Sequence, residues 1–190
     1  MPRQGMQQRV ATAILDAAAR VLATHGGRAS MNDVAAEAGV ARATLYRYFP
    51  NRQTLLDELA DTAVADAGAR LVAARIDELP VEEAVPRAVR AMVDVGASFV
   101  VLVRTQARGD QERFEASIVS PLSALFARAQ SAGHLRDDVP SEWLTGFLVD
   151  VVMGVLESAR ELGRDDTIAL VTSLFFDGAR RRRPKLEAVE

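Results

Sequence analysis

The residues whose types could do chemistry gather near the N-terminus. Arg42, Ala43, Thr44, Tyr46, Arg47 and Tyr48 form one short run, with Asn32 before it and Arg52 after it. Arginine reaches guanine edges and phosphates, threonine and tyrosine hydroxyls donate to phosphate oxygens, and a small apolar side chain fits beside a thymine methyl. Such a mixture suits a surface that grips a duplex groove. It suits catalysis poorly. The chain has no cysteine and only two histidines, His25 and His134, far apart in sequence. No Ser/His/Asp set, phosphate-cradling glycine loop or metal-ligand spacing is present, so we expect no catalytic residues, no metal and no cofactor. His25 stands at a helix C-terminus, where a partial positive charge is favourable, and His134 reads as a loop residue.

The elements that must hold these residues all read as helices, and no strand-like alternation between hairpin turns occurs. Val10, Ile14, Ala17, Ala18, Val21 and Leu22 stripe a first helix that Gly26-Gly27 ends. Ser30 opens a second, with Asp33 three positions on as a capping box, and Val34, Ala35 and Ala38 turned inward until Gly39. A third runs from about Arg42 to Phe49, where Pro50 stops it, and Asn51 can cap the next. Leu45 and Phe49 point inward, so the tyrosines of this helix are either packing aromatics or free contacts. A fourth helix, from Arg52 past Ala69, turns Leu55, Leu56 and Leu59 toward the first three. The pattern is a helix-turn-helix, with Gly39 supplying the left-handed turn.

Behind this head, helical stretches are expected at about 81–103, 111–132, 141–162 and 166–180, with kinks or late starts at Pro86 and Pro121. The fold class is therefore all-α, divided into a head at 1–54 and a body at 55–190. With 49% hydrophobic and 26% charged residues in 190, the chain has the balance of a globular protein. The net charge of −3 is unevenly spread: residues 1–56 carry seven arginines against three acids, so a basic head sits on an acidic body. The polar start and the short apolar runs lack a secretory signal or a membrane span, so we expect a cytoplasmic protein with no membrane partner.

The run from Arg28 to Leu59 closely resembles the N-terminal domain of the TetR family of regulators. The family's pattern stands here as Gly39-Val40, Thr44-Leu45-Tyr46, Tyr48-Phe49-Pro50, Arg52 and Leu55-Leu56. The resemblance implies about nine helices, a three-helix DNA-binding head and a bundle that binds a small-molecule effector and dimerises. It puts Arg42, Ala43 and Thr44 at base-reading positions, and Thr44, Tyr46, Tyr48 and Arg52 at phosphate positions, with Asn32 as a further candidate and Arg47 either a contact or a solvated charge. Two departures stand out. Ala41 replaces a capping Ser or Thr, and Arg52 replaces the customary Lys. The resemblance also implies a homodimer, joined through the last two helices, on a near-palindromic double-stranded operator that the protein represses until an effector binds.

In the body, Phe99, Phe126, Trp143 and Phe147 are candidates to line the effector site. Arg104, a charge in an apolar run, either pairs with an anionic ligand or marks a helix end. Leu144, Leu148, Val151, Val152 and Val155, with Ile168, Val171, Leu174, Phe175 and Phe176, give the last two helices broader apolar faces than a single small core should absorb. The arginine run at 180–183 reads as a solvated terminus. Two other classes compete with a DNA-binding regulator that answers to a small molecule. One is a helical-bundle enzyme or carrier, and the other is a DNA-binding module controlled by a protein partner.

Overall fold

The computed structural model describes residues 2–96, 111–159 and 161–180. Among these, eight helical rods follow one another: α1 (Pro2–His25), α2 (Met31–Glu37), α3 (Arg42–Tyr48), α4 (Arg52–Ala73), α5 (Val81–Val93), α6, α7 (Ser141–Ser158) and α8 (Arg164–Ala179). Rod α6 runs through Gln111–Phe114, a π turn at Glu115–Val119, and Ser120–Ser131. No strand occurs among the described residues.

Local chemistry fixes the ends. The Ser30 hydroxyl accepts from the Asp33 backbone N–H at 3.2 Å while the Asp33 carboxylate accepts from the Ser30 N–H at 2.9 Å. This reciprocal pair satisfies orphan donors at the start of α2. Asn51 does the same for α4, accepting from the Thr54 N–H at 2.9 Å. The apolar stripe of α1 begins at Val10, yet the helix starts at Pro2, because proline suits a first helical position and the glutamines and Arg9 that follow are good helix formers.

The expected helix over 81–103 is stopped at Val93. Asp94 caps it, and Gly96 takes a left-handed φ of +61° with its N–H returning to the Val93 carbonyl at 2.9 Å. Proline has two different effects. Helix α5 begins ahead of Pro86 and runs through it, whereas Pro121 comes one residue after the π turn. Lacking an N–H, Pro121 cannot bond back to the preceding turn, and the wider π turn lies where that ladder is interrupted.

Two apolar cores result. The head core joins Ile14, Ala18 and Leu22 of α1, Val34 and Ala35 of α2, Leu45 and Phe49, and Leu55, Leu56 and Leu59 of α4. The body core joins Val64, Ala67 and Leu71 of α4 to Val85, Val89 and Met92 of α5, Leu122 and Phe126 of α6, Leu148 and Val152 of α7, and Val171 and Phe175 of α8. Helix α4 thus belongs to both. Its Gly68 allows a close crossing with α6: a Cβ there would lie 2.8 Å from the Ser117 Cβ, inside the π turn.

Polar ties hold the body's ends. Arg164, in the first turn of α8, grips the Asp94 carboxylate with two hydrogen bonds of 2.5 and 2.7 Å, and Arg70 of α4 stands 3.8 Å from the same carboxylate. The Arg164 guanidinium holds the Asp94 carboxyl below its ordinary range. In the loop before α7, Leu135 is fully buried, Arg136 pairs with Asp138, and the Gln130 amide donates to the carbonyls of Arg136 and Val139 at 2.8 Å each. That loop is pinned to the end of α8 by the Arg136 N–H on the Ala179 carbonyl.

Candidate nucleic-acid interface

The turn between α2 and α3 depends on Gly39, whose φ of +65° is costly for a residue with a Cβ. The N–H groups of Gly39 and Val40 return to the carbonyls of Ala36 and Ala35, closing α2 and turning the chain sharply. Helix α3 then starts at Arg42, and Ala41 ahead of it offers no side-chain cap. Buried Leu45 and Phe49 seat α3 on the head core. Helical geometry puts Ala43 and Arg47 on the opposite crest, with Thr44 and Tyr48 down one flank and Arg42 and Tyr46 down the other.

Exposure follows this wheel. Arg42, Ala43 and Arg47 are exposed, while Thr44, Tyr46 and Tyr48 are half-buried. Each tyrosine ring leans on the head core and carries an arginine above it. The guanidinium carbons of Arg42 over Tyr46 and of Arg47 over Tyr48 both lie 5.4 Å from the ring centroids. These cation–π pairs restrict two flexible cations on the exposed face. The alternatives of packing aromatic and free contact merge here, since each ring does the packing and still keeps accessible surface.

Asn32 is exposed in the first turn of α2. Arg52 is half-buried: its Nε donates to the Ala29 carbonyl at 3.5 Å, and its Nη2 has neither accessible surface nor a hydrogen-bond partner. The structure therefore turns this guanidinium toward the segment before α2. Two of the head's acids are occupied within it. Asp33 serves the cap, where hydrogen bonds from Ser30 hold its carboxyl below the ordinary range, and Glu37 pairs with Arg20 at 2.8 Å.

Sequence reasoning missed one feature beside α3. A groove of about 580 Å³ runs between the early turns of α1 and the Thr44/Tyr48 flank, lined by Met6, Gln7, Val10, Val40, Ala41, Thr44, Arg47 and Tyr48. Residues 6–9 carry no apolar periodicity that could have announced it.

The sequence model described as bacterial regulatory proteins, tetR family, matches residues 14–59, which span the helix-turn-helix with the second half of α1 and the start of α4. The repressor LfrR of Mycolicibacterium smegmatis is 41% identical over 92 residues, covering 48% of each chain. The regulator BetI of Agrobacterium fabrum is 39% identical over 77 residues, 40% of this chain and 37% of BetI. These matches span about half, or less, of the relatives' lengths. The architecture matches more widely: LfrR of Mycobacterium smegmatis, solved in complex with proflavine, superposes with a TM-score of 0.74 at 26% identity, covering 91% of this chain and 97% of that one.

Residues 14–59 thus carry the TetR family's helix-turn-helix sequence, and the chain has the fold of a TetR-like regulator.

The relatives named here are regulators of transcription. In the body, the described effector-site candidates Phe126 and Phe147 meet at one ring, that of Phe175, and Trp143 stands apart. Phe126 is fully buried and stacks on Phe175 with centroids 5.0 Å apart, while Phe147, 40% exposed, lies 6.1 Å from the same ring. Trp143, 72% exposed, stands one turn earlier on the outside of α7. Phe99 and Arg104 lie outside the described residues, as do Arg181–Arg183 of the arginine run.

The surplus expected on the last two helices also falls differently. Leu144, Leu148, Val152, Val155, Ile168, Val171, Phe175 and Phe176 are absorbed by the body core. Of the expected faces Leu174 alone is among the exposed large apolar residues, and it is joined on α7 and α8 by Trp143, Phe147 and Leu170. No helix among the described residues is long and apolar enough to cross a membrane.

Proposed function

We propose that this protein is a homodimeric repressor that binds a near-palindromic operator and lets go when a small molecule enters its body. The observation that carries the reading is the outward face of α3. Its crest residues Ala43 and Arg47 are exposed, its two arginines are braced on tyrosines, and Leu45 and Phe49 hold it to the head. On this reading Arg42, Ala43, Thr44 and Arg47 face base edges, and Tyr46, Tyr48 and Asn32 face phosphates. Arg52 acts by fixing the start of α4 against Ala29, since its inner nitrogen is closed to a phosphate.

A second copy of the chain is the partner that Trp143, Phe147, Leu170 and Leu174 suit. Large exposed apolar side chains on two neighbouring helices make a surface that a four-helix interface would cover. Two-fold pairing sets recognition helices about 34–36 Å apart, in successive major grooves. The head expected at 1–54 extends into α4 as far as Leu59, whose side chain joins the head core with Leu55 and Leu56, and the body begins by Val64. A genomic operator places the protein in the bacterial cytoplasm.

LfrR was solved with proflavine, a planar aromatic molecule, and the likeness of fold makes planar aromatics the first effectors to try. The test is fluorescence anisotropy of the purified protein with its own upstream region and with random duplex, at several salt concentrations, with and without proflavine. Preference for the upstream fragment, lost on adding the effector, supports the reading. Equal binding to both duplexes at every salt concentration refutes it.

A further inference from the structure

Where the last turns of α6 meet the start of α5, the body holds a pocket of about 180 Å³ that the DNA-binding reading does not use. Buried Val81, Leu125 and Ala129 form an apolar floor, with Leu79, Pro80 and Ala132 beside it. Its polar lining is Glu82, Arg128 and His134. Two of these engage each other, since His134 Nδ1 stands 3.3 Å from a Glu82 carboxylate oxygen. Arg128 differs. Its Nη2 donates to the Ile76 carbonyl at 3.3 Å, and among the described residues no acid pairs with it. By contrast Arg70, Arg75, Arg87, Arg90, Arg136 and Arg164 each have a carboxylate partner. A guanidinium held at the edge of an apolar hollow, with most of its donors unused, is suited to receive a carboxylate.

We propose that this pocket binds a small monocarboxylate with a short apolar tail, its head on Arg128 and its tail on Val81, Leu125 and Ala129. Each wall argues for that class. The guanidinium fork matches a carboxylate bidentately and repels an amine. An inorganic anion leaves the apolar floor bare, and a dicarboxylate brings its second charge toward Glu82. Volume limits the tail, because 180 Å³ equals about six water volumes and so takes about four to six carbons. The pocket shares no residue with the α3 face or with the aromatic cluster around Phe175. A ligand here is therefore additional to the effector proposed above, and its binding stands apart from operator recognition.

The test is isothermal titration calorimetry of the DNA-free protein with butyrate, hexanoate, hexanol and hexylamine. Hexanoate should bind with a Kd on the order of 1 mM. Butyrate should bind more weakly, by about fourfold for each methylene it lacks. Hexanol, without the charge, should lose about tenfold, and hexylamine should not bind. Arg128→Gln should weaken hexanoate by about tenfold, with part of the loss restored in Arg128→Lys. Glu82→Gln should tighten it by removing a like charge. Ala132 is exposed, so Ala132→Phe should melt like the parent while filling the pocket and abolishing binding. Failure of hexanoate to bind the parent overturns the inference. So does binding that survives unchanged in Arg128→Gln or in Ala132→Phe, which puts the ligand elsewhere, and so does equal affinity for hexylamine. None of these outcomes bears on operator binding, which is read separately by anisotropy.

Discussion

Replacing Gly68 by alanine should destabilise the protein, against the usual expectation for a helix interior. In an unobstructed helix, Gly to Ala gains about 1 kcal/mol from propensity and backbone entropy. Here the added Cβ meets the Ser117 Cβ at 2.8 Å, the Ser117 Oγ at 3.4 Å and its carbonyl oxygen at 3.5 Å. Carbon atoms prefer about 3.5–4.0 Å, and the nearest obstacle is a Cβ fixed to the backbone, so no rotamer change relieves it. Overpacking of this kind costs about 1–3 kcal/mol, which offsets the gain and leaves a net loss of about 1 kcal/mol. In a chain of this size that lowers the melting temperature by about 2–4 °C, measured by far-ultraviolet circular dichroism. In a Ser117→Gly background the obstacle disappears and Gly68→Ala should become stabilising by about 1 kcal/mol, so the effect changes sign. If Gly68→Ala raises the melting temperature of the parent, or shifts both backgrounds equally, the close crossing of α4 and α6 does not exist as described.

Other outcomes follow from single residues. Ala41→Ser supplies the missing cap of α3 at a residue already in extended geometry, and should raise stability by about 0.5–1 kcal/mol in a thermal melt without altering the contact face. Asp94→Asn should lower the melting temperature at neutral pH. Because the Asp94 carboxyl titrates below the ordinary 3.8, its ion pair with Arg164 contributes fully above that value and is lost as pH falls through the lower folded one, so parent and variant should converge in acid. Leu174→Asp places a charge in the proposed interface and should yield monomers in light scattering while the far-ultraviolet spectrum is kept. Arg47→Ala should weaken operator binding by about 10- to 100-fold and reduce the preference over random duplex, as read by anisotropy.

The head was legible where side chains act on nearby backbone. Ser30 with Asp33, Asn51 with Thr54, and Gly39 at the turn are short-range devices whose chemistry is complete within a few residues. The inward pair Leu45 and Phe49 was equally plain, because α3 is short and only one face is apolar. Legibility failed where an outcome depends on distant partners. The orientation of Arg52 is set by the Ala29 carbonyl, and the α1 wall of the groove by helix packing, neither of which has a local signature. Helices α7 and α8 are apolar around most of their circumference, so periodicity could not say which face meets the body core and which faces out. The π turn was hidden for a further reason: Pro121 announces a disturbance, but its form depends on what Ser117 packs against.

The sharing of α4 between two cores gives the proposed release a mechanical basis. Leu55, Leu56 and Leu59 are fixed in the head, while Val64, Ala67 and Leu71 are fixed in the body. The head therefore cannot stay still if the body end of α4 turns. Between Gly68 and Leu55 the helix spans about 20 Å at 1.5 Å per residue. A tilt of about 5° at the Ser117 crossing would carry the head by nearly 2 Å. Hydrogen bonds to bases and phosphates tolerate only a few tenths of an ångström, and in the proposed dimer two-fold symmetry would apply the displacement to both recognition helices. An effector need not touch α3 or unfold anything; it must only bind more tightly to the tilted arrangement than to the one that fits the operator. The Arg70 and Arg164 cations around Asp94 bear on the same equilibrium, since they tie α4 to the start of α8 just beyond the Gly68 crossing. Loosening that cluster should therefore shift operator affinity as well as stability, although no residue in it lies near the DNA-binding face.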